Sequence, residues 1–291
     1  MTISDSVYNI RSRPVNGLVC CIPIRGPKSI AVCNPTTRQI VKLPEVTPNG
    51  RDMYARLGYD PVGDEYKVLC VMMFDGFDSK TKDDIKQEHF VFTVGSRQKK
   101  WRKIETVTKD PYRCMEGEVC IDGVLYYGVG HKRLARFDVR SEKLEFIKGP
   151  EEYNAVSCYS RIINHQGKLA CVSYDFYCSS SFGMWILQDA EKQEWLSVET
   201  SDVPCEWIDL FTEERATCTG EIHTGEAMLV SRLLESSKLF CVYYCDLVRD
   251  GFRRGEVDGI ADLEFRRDHG IGKHNRQMLC FPGHIENIMF F

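Results

Sequence analysis

Short apolar stretches recur along the chain and are separated by Gly, Asp, Asn or Pro. They are rich in Val, Ile, Tyr, Phe and Cys, the residues that suit a half-buried pleated strand. The clearest stretches occupy residues 17–24, 66–73, 89–94, 124–129, 168–174 and 239–246. Helical periodicity is confined to two short segments, the charged residues 81–88 and residues 259–267. The pattern predicts an all-β protein.

The strands follow a degenerate repeat with two parts. The first part is a strand led by glycine, at 16–21 (NGLVCC), 122–127 (DGVLYY), 166–172 (QGKLACV) and 224–230 (TGEAMLV). The second part is a hairpin in which a turn-forming residue precedes a large apolar residue by six positions. The hairpin pairs are Asn34/Ile40, Gly95/Trp101, Asp138/Leu144, Asp189/Trp195 and Asp246/Phe252.

The repeat also suggests an architecture. Successive hairpin pairs are 43 to 61 residues apart, close to the period of four-stranded propeller blades. We therefore predict a β-propeller of about six four-stranded blades, with five or seven as alternatives. Closure of the ring depends on whether residues 1–15 complete it, because propellers close by pairing strands from the two termini.

Both parts of the hairpin motif have structural explanations. Blades cannot bury both faces alone, so the apolar anchors Trp101, Leu144 and Trp195 are expected to fill the seams between neighbouring blades. Asn34, Asp138 and Asp189 can hydrogen-bond their own backbone and close the hairpin. We prefer this interpretation to a metal or acid–base role.

Composition limits the classes of partner. The net charge is -4 with a pI near 6.0, and the basic residues read as scattered, so we expect no nucleic-acid or membrane partner. The chain lacks a leader and a long apolar run, which argues against export and membrane insertion. The 14 cysteines fall within apolar runs and read as buried small hydrophobes, which favours a reducing compartment, cytoplasm or nucleus.

No motif for catalysis, a metal or a cofactor emerges from the sequence. The seven histidines are singly placed, and His269 and His274 read as part of a Gly-rich surface loop. Cys241 and Cys245 share a strand face but have no second ligand pair. We therefore predict a non-enzymatic binding protein without metal or cofactor, and a propeller-fold enzyme is the less favoured alternative.

Two long loops, 74–88 and 175–183, are the candidates for partner contacts, because the strands of a propeller are committed to packing. An equally good alternative is that these loops are solvated and that their aromatic residues pack within them. The predicted contact residues are the loop aromatics and two acidic neighbours: Phe74, Asp75, Phe77, Asp175, Phe176, Tyr177 and Phe182.

Several segments resemble a known family. They are GLVCC, AVCNPTTRQIVKLP, LGYDPVGDEYKVLCV, HFVFTVGSRQKKWRKI and CIDGVLYYGV, in that order. Together they resemble the plant F-box-associated domain, particularly its type 3 form with a kelch-like propeller. The resemblance covers about residues 15–291, and HIENIMFF at the C-terminus is similar to the closing strand of that domain.

The resemblance implies a function. We expect residues 16–291 to be an F-box-associated propeller that recognises an unidentified protein target for a cullin–RING ubiquitin ligase, after a short N-terminal segment, 1–15. Those first residues do not resemble an F-box, so a ligase adaptor would bind only if an F-box is supplied outside this chain. The chain could then be a fragment of a longer receptor, an F-box-less competitor or a nonfunctional remnant.

Overall fold

The structure is a computed structural model that describes most of the chain. The described residues are 2–3, 6–10, 12–23, 29–74, 86–105, 112, 114–130, 132–151, 156, 160–174, 182–200, 202–204, 207, 216–235, 238–249, 251–270, 276–278, 280–283 and 285–288. The chain divides into two compact units. The first comprises Met1–Glu151, Val156–Cys158 and His284–Phe291, and the second comprises Glu152–Ala155 and Tyr159–Gly283.

The first unit contains three antiparallel sheets, in which the strands neighbour one another in chain order. The strands of the first sheet are β1 (Thr2–Ile3), β2 (Ser6–Ile10), β3 (Val19–Pro23), β4 (Ala31–Asn34) and β5 (Gln39–Lys42). The second sheet contains β6 (Asp52–Asp60), β7 (Glu65–Met73), β8 (Gln87–Thr93) and β9 (Arg102–Ile104). The third contains β10 (Cys114–Ile121), β11 (Val124–Val129), β12 (Arg133–Asp138) and β13 (Leu144–Lys148).

The second unit contains two further sheets of four strands and a smaller pair. The fourth sheet contains β14 (Arg161–His165), β15 (Lys168–Tyr174), β16 (Phe182–Asp189) and β17 (Glu194–Val198). The fifth contains β18 (Thr217–Glu221), β19 (Ala227–Val230), β21 (Phe240–Cys245) and β22 (Phe252–Val257). The pair is β20 (Leu233–Leu234) with β23 (Arg276–Gln277), and the helix α1 spans Leu263–Asp268.

The fold is an all-β propeller, as predicted, with five blades. The estimate of about six blades was one too high, because the described part of 258–283 forms no further four-stranded sheet. It contributes α1 and β23 instead, and Ala261 and Cys280 pack with Met228 and Phe240 of the fifth blade. These residues cover an apolar face of that blade.

The two short helical predictions fare differently. The segment 259–267 overlaps α1, which begins at Leu263. Gln87 and Glu88 belong to strand β8, so a helix over the whole of 81–88 is wrong, and residues 81–85 lie outside the described ranges. No helix in the described part of the chain is long and apolar enough to cross a membrane.

The predicted hairpins join the last two strands of each blade. Cys33 faces Ile40 across β4 and β5, Phe137 faces Leu144, and Cys245 faces Phe252. Each glycine-led strand lies directly beside the closing hairpin of its blade: β3 in the first blade, β11 in the third, β15 in the fourth and β19 in the fifth. The repeat therefore describes the closing hairpin of a blade together with the strand next to it.

The predicted side-chain closure of these hairpins is confirmed. Asn34 Oδ1 accepts from the backbone N–H of Thr36 at 3.0 Å, and Asp138 Oδ1 accepts from that of Ser141 at 2.7 Å. Asp189 and Asp246 each accept two backbone N–H groups at 2.9–3.0 Å. These acidic side chains have a local structural function.

The cores lie between consecutive blades of the same unit. Trp101 is half-buried in the cluster that joins the first and second blades, and Leu144 is 1% exposed in the cluster that joins the second and third. Phe252 packs into the cluster between the fourth and fifth blades. The predicted seam position is thus confirmed for Trp101 and Leu144.

A C-terminal segment, residues 285–288, lies against the first two blades. Asn287 donates from its Nδ2 to the carbonyl of Asn16 at 2.6 Å and to the hydroxyl of Tyr66 at 3.3 Å. Its carbonyl accepts from Asn34 Nδ2 at 2.9 Å, and its N–H donates to Thr36 Oγ1 at 3.3 Å. One asparagine therefore ties this segment to two turns of the first blade and to strand β7 of the second.

Candidate partner-binding groove

The structure corrects one of the residues predicted to contact a partner. Phe182 is the first residue of β16 and is 5% exposed. Alternate residues of a strand share a face, so Phe182 lies with Met184 and Ile186 in the core between the fourth and fifth blades. The strand begins before the loop was expected to end, and its first side chain is committed to packing.

Phe74 follows β7 directly and is half-buried against the core of the first two blades. Its backbone N–H donates to the carbonyl of Lys86 at 2.9 Å, which closes the base of the loop between β7 and β8. The five other predicted residues lie outside the described ranges: Asp75, Phe77, Asp175, Phe176 and Tyr177. Their contact with a partner stays a prediction.

A groove of about 550 Å³ lies elsewhere in the first unit, between the connection 44–48 and the strand pair β8–β9. One wall consists of Pro44, Glu45, Thr47 and Pro48. This wall is anchored by Val46, which is fully buried in the core of the first two blades. The buried Val46 side chain therefore fixes the position of the connection 44–48, whose other residues line the groove.

Strand pairing explains the opposite wall. Phe90 of β8 faces Lys103 of β9, and cross-strand partners project from the same face of a sheet. Glu88 lies two positions before Phe90 on β8 and therefore shares its face, and Trp101, directly before β9, completes this wall of the groove. Phe90 is 4% exposed and forms the apolar base.

Trp101 is fixed from two sides. Its indole Nε1–H donates to the carbonyl of Pro44 at 2.8 Å, which also joins the two walls. Its ring lies 5.2 Å from that of Phe92, centroid to centroid, at an interplanar angle of 52°. A half-buried Trp with a satisfied N–H is an apolar surface that a partner can cover without reorganising the side chain.

The hairpin beside the groove is strongly basic. Residues 97–103 contain five cations in seven positions. Two of them are paired within the chain, Arg102 with Glu142 and Lys103 with Glu88, each at 2.5 Å. Burial alone would raise the pKa of Glu142, but hydrogen bonds from Arg102 and Lys67 hold that pKa below its usual value.

The three other cations, Arg97, Lys99 and Lys100, are exposed and have no ion pair among the described residues. The prediction that the basic residues are scattered is therefore wrong for this hairpin, where the sequence RQKKWRK places five cations within seven residues.

A second polar cluster in the first unit is closed to solvent. Arg56 lies 4.1 Å from the ring centre of Tyr127 and 3.8 Å from a carboxylate oxygen of Glu118. His89 hydrogen-bonds the hydroxyl of Tyr112, and burial, followed by the charge of Arg56, lowers the pKa of His89 to about 4. All of these side chains are buried, so the cluster joins the second and third blades and offers no access for a substrate.

The described residues assemble no group of three or more His, Cys, Asp or Glu side chains that could hold a metal ion. In the second unit, His165 Nδ1 pairs with a carboxylate oxygen of Glu221, between the inner strands β14 and β18. This pair cross-links two blades.

Comparison with known proteins identifies the family. The family model described as the F-box associated beta propeller domain matches residues 1–285. The chain is 34% identical to the F-box protein At1g30790 of Arabidopsis thaliana, over all of this chain and 74% of that protein. It is 31% identical to the F-box protein DOR of the same plant, over 98% of this chain and 70% of that protein.

The chain belongs to the F-box-associated β-propeller family. The resemblance seen in the sequence is thereby confirmed.

Proposed function

We propose that this propeller is the target-recognition domain of an F-box-type ubiquitin ligase receptor, acting in the cytoplasm or nucleus. In this proposal it binds a protein target and catalyses no reaction. Membership of the family supports the general role. The observation that supports the site is the groove, where a fixed, half-buried Trp101 lies beside three exposed cations that form no ion pair with any described residue.

The groove has the features of a small protein-binding site. Its 550 Å³ accommodates a few side chains of a partner rather than a whole domain surface. Tryptophan and charged residues around a rigid apolar centre are typical of binding hot spots, where truncation of one residue costs about 2 kcal/mol or more. We therefore expect most of the affinity to depend on Trp101.

The first experiment compares two equivalent tryptophans. Trp101 and Trp195 are the anchors of the same hairpin in the second and fourth blades. The chain, fused to an F-box module, would be expressed in Arabidopsis protoplasts as wild type, Trp101→Ala and Trp195→Ala. Captured proteins would then be purified and tested for direct binding and for ubiquitination.

The proposal expects a target that binds and is ubiquitinated with the wild type and with Trp195→Ala. Trp101→Ala should weaken that binding by about thirtyfold, corresponding to about 2 kcal/mol. Circular dichroism and thermal unfolding would establish that both variants are folded. A target whose binding and ubiquitination survive Trp101→Ala would contradict the proposed site, and the absence of any ubiquitinated target would contradict the role.

A further inference from the structure

We propose that the Trp101 groove takes an acidic, extended peptide segment of its target, with an apolar side chain on the indole and carboxylates at Arg97, Lys99 and Lys100. This inference rests on the proposed function and specifies its ligand. The basic surface is defined by those three cations, which are exposed and carry no ion pair among the described residues.

The repeat shows that the charge is not a requirement of the hairpin. Between the turn residue and the anchor, residues 96–100 contain three cations and no acid. The equivalent residues 190–194 of the fourth blade contain one cation and two acids, although both hairpins end on a tryptophan. In the other three hairpins, no segment has more than one net positive charge.

Protection of a sheet edge is a simpler explanation for lysine, since charged side chains discourage edge-to-edge pairing. It accounts for Arg102 and Lys103, which lie on the edge strand β9. Arg97, Lys99 and Lys100 precede that strand and lie outside its hydrogen-bonded ladder. Their charge therefore needs a different explanation.

The walls of the groove favour recognition through side chains. Pro44 and Pro48 have no backbone N–H, and the carbonyl of Pro44 already accepts from Trp101. The 44–48 wall therefore offers an entering peptide no strand edge with which to pair, and the opposite wall presents the indole ring and lysine ammonium groups. An apolar residue flanked by Asp or Glu satisfies both features, because carboxylates complement the cations around the Trp101 surface.

A single-stranded nucleic acid would also be attracted by cations. Such binding uses several aromatic platforms for successive bases, whereas the groove presents one exposed indole. Glu45 and Glu88 line the same groove, and the whole chain carries a net charge of -4. The two glutamates interrupt the basic surface, which suits a short peptide with carboxylates only at Arg97, Lys99 and Lys100 better than a polymer with a charge at every residue.

The test uses the purified full chain and fluorescence anisotropy. The probe is a labelled peptide of about twelve residues, with one Leu flanked on both sides by Glu. A matched peptide with every Glu replaced by Gln, and a single-stranded oligouridylate RNA of equal length, serve as comparisons. The variant is Lys99→Glu/Lys100→Glu, and the control is Lys143→Glu/Lys192→Glu, which changes the net charge equally in the corresponding hairpins of two other blades.

The acidic peptide should bind at least about tenfold more tightly than the Gln peptide, and the groove variant should lose about tenfold while the control stays within about twofold. Raising the salt from about 50 to about 300 mM should weaken binding further. Equal binding of the two peptides, equal losses in variant and control, or RNA binding as tight as that of the acidic peptide would overturn the proposal.

The two proposals fail differently. If target binding depends on Trp101 but is unchanged by Lys99→Glu/Lys100→Glu, the groove recognises a target. The proposed preference for an acidic peptide is then wrong. If the purified chain prefers the acidic peptide but no target is ubiquitinated, the ligand preference holds and the ligase role is wrong. Circular dichroism checks that the charge reversals, all at exposed positions, leave the fold intact.

Discussion

Replacing Gly17 by alanine should detach the C-terminal segment from the first blade. Gly17 has a φ of 81°, and an added Cβ would overlap the carbonyl oxygen of Ile285 and lie 2.7 Å from Cβ of Asn287. The left-handed backbone by itself costs a residue with a Cβ about 1–2 kcal/mol. The steric overlap adds a second cost, because displacing residues 285–288 removes the stability that their contacts contribute.

That contribution follows from the contacts of Asn287. It takes part in four hydrogen bonds to Asn16, Asn34, Thr36 and Tyr66. At a net 0.5–1.5 kcal/mol each, they contribute about 2–6 kcal/mol. Because the segment can detach, the additional cost of Gly17→Ala cannot exceed its docking free energy. The total destabilisation is therefore about 3–8 kcal/mol.

Gly95→Ala is the matched control. Gly95 lies in the same unit with a φ of 78°, and no atom lies within 4 Å of an added Cβ. Urea unfolding should show a loss of about 1–2 kcal/mol for this variant, with the further loss confined to Gly17→Ala. Hydrogen exchange should speed up at residues 285–288 in Gly17→Ala alone. Equal destabilisation by both substitutions, with unchanged exchange, would refute the docking of the segment.

Three further predictions concern single side chains. Phe182→Ala should destabilise the protein by about 3–5 kcal/mol in urea unfolding, because it empties a core position; a neutral effect would mean that Phe182 is exposed. His89 has a folded-state pKa of about 4 against 6.5, so its stabilising contribution should fall by about 3 kcal/mol as the pH falls from about 7 to about 4. Unfolding curves of wild type and His89→Gln should therefore converge at low pH, and parallel curves would contradict this burial. Asp246→Ala should cost about 1 kcal/mol in thermal unfolding and Asp246→Asn less, since the amide oxygen can still accept from Val248 and Arg249; equal losses would argue against this hairpin closure.

The blade pattern was predictable because it is local. Four of the five hairpins are closed by the side chain of the turn residue, which binds backbone two or three residues ahead, as in Asp138 and Asp189, and this chemistry is visible in the sequence. The number of blades was harder to predict, because the sequence after the fifth blade shows how many residues remain but not which elements they form. They cover an existing blade with α1 and β23 instead of forming a sixth.

Long-range contacts were not predictable from local pattern. Asn287 binds residues more than two hundred positions away, and nothing near it in sequence indicates its partners. The groove likewise depends on the approach of 44–48 to Trp101, across 57 residues. Its charge could have been found by aligning the five hairpins, which sets Lys100 against Glu194.

The most direct test of the groove is a photo-crosslink from two equivalent positions. A benzophenone amino acid would replace Lys100 in one variant and Glu194 in the other, at the same hairpin position one residue before the anchor Trp of the second and fourth blades. Both would be irradiated in cells that contain the target. We predict a target adduct from position 100 and none from position 194. Adducts from both positions, or from neither while the target is still bound, would contradict recognition at the groove.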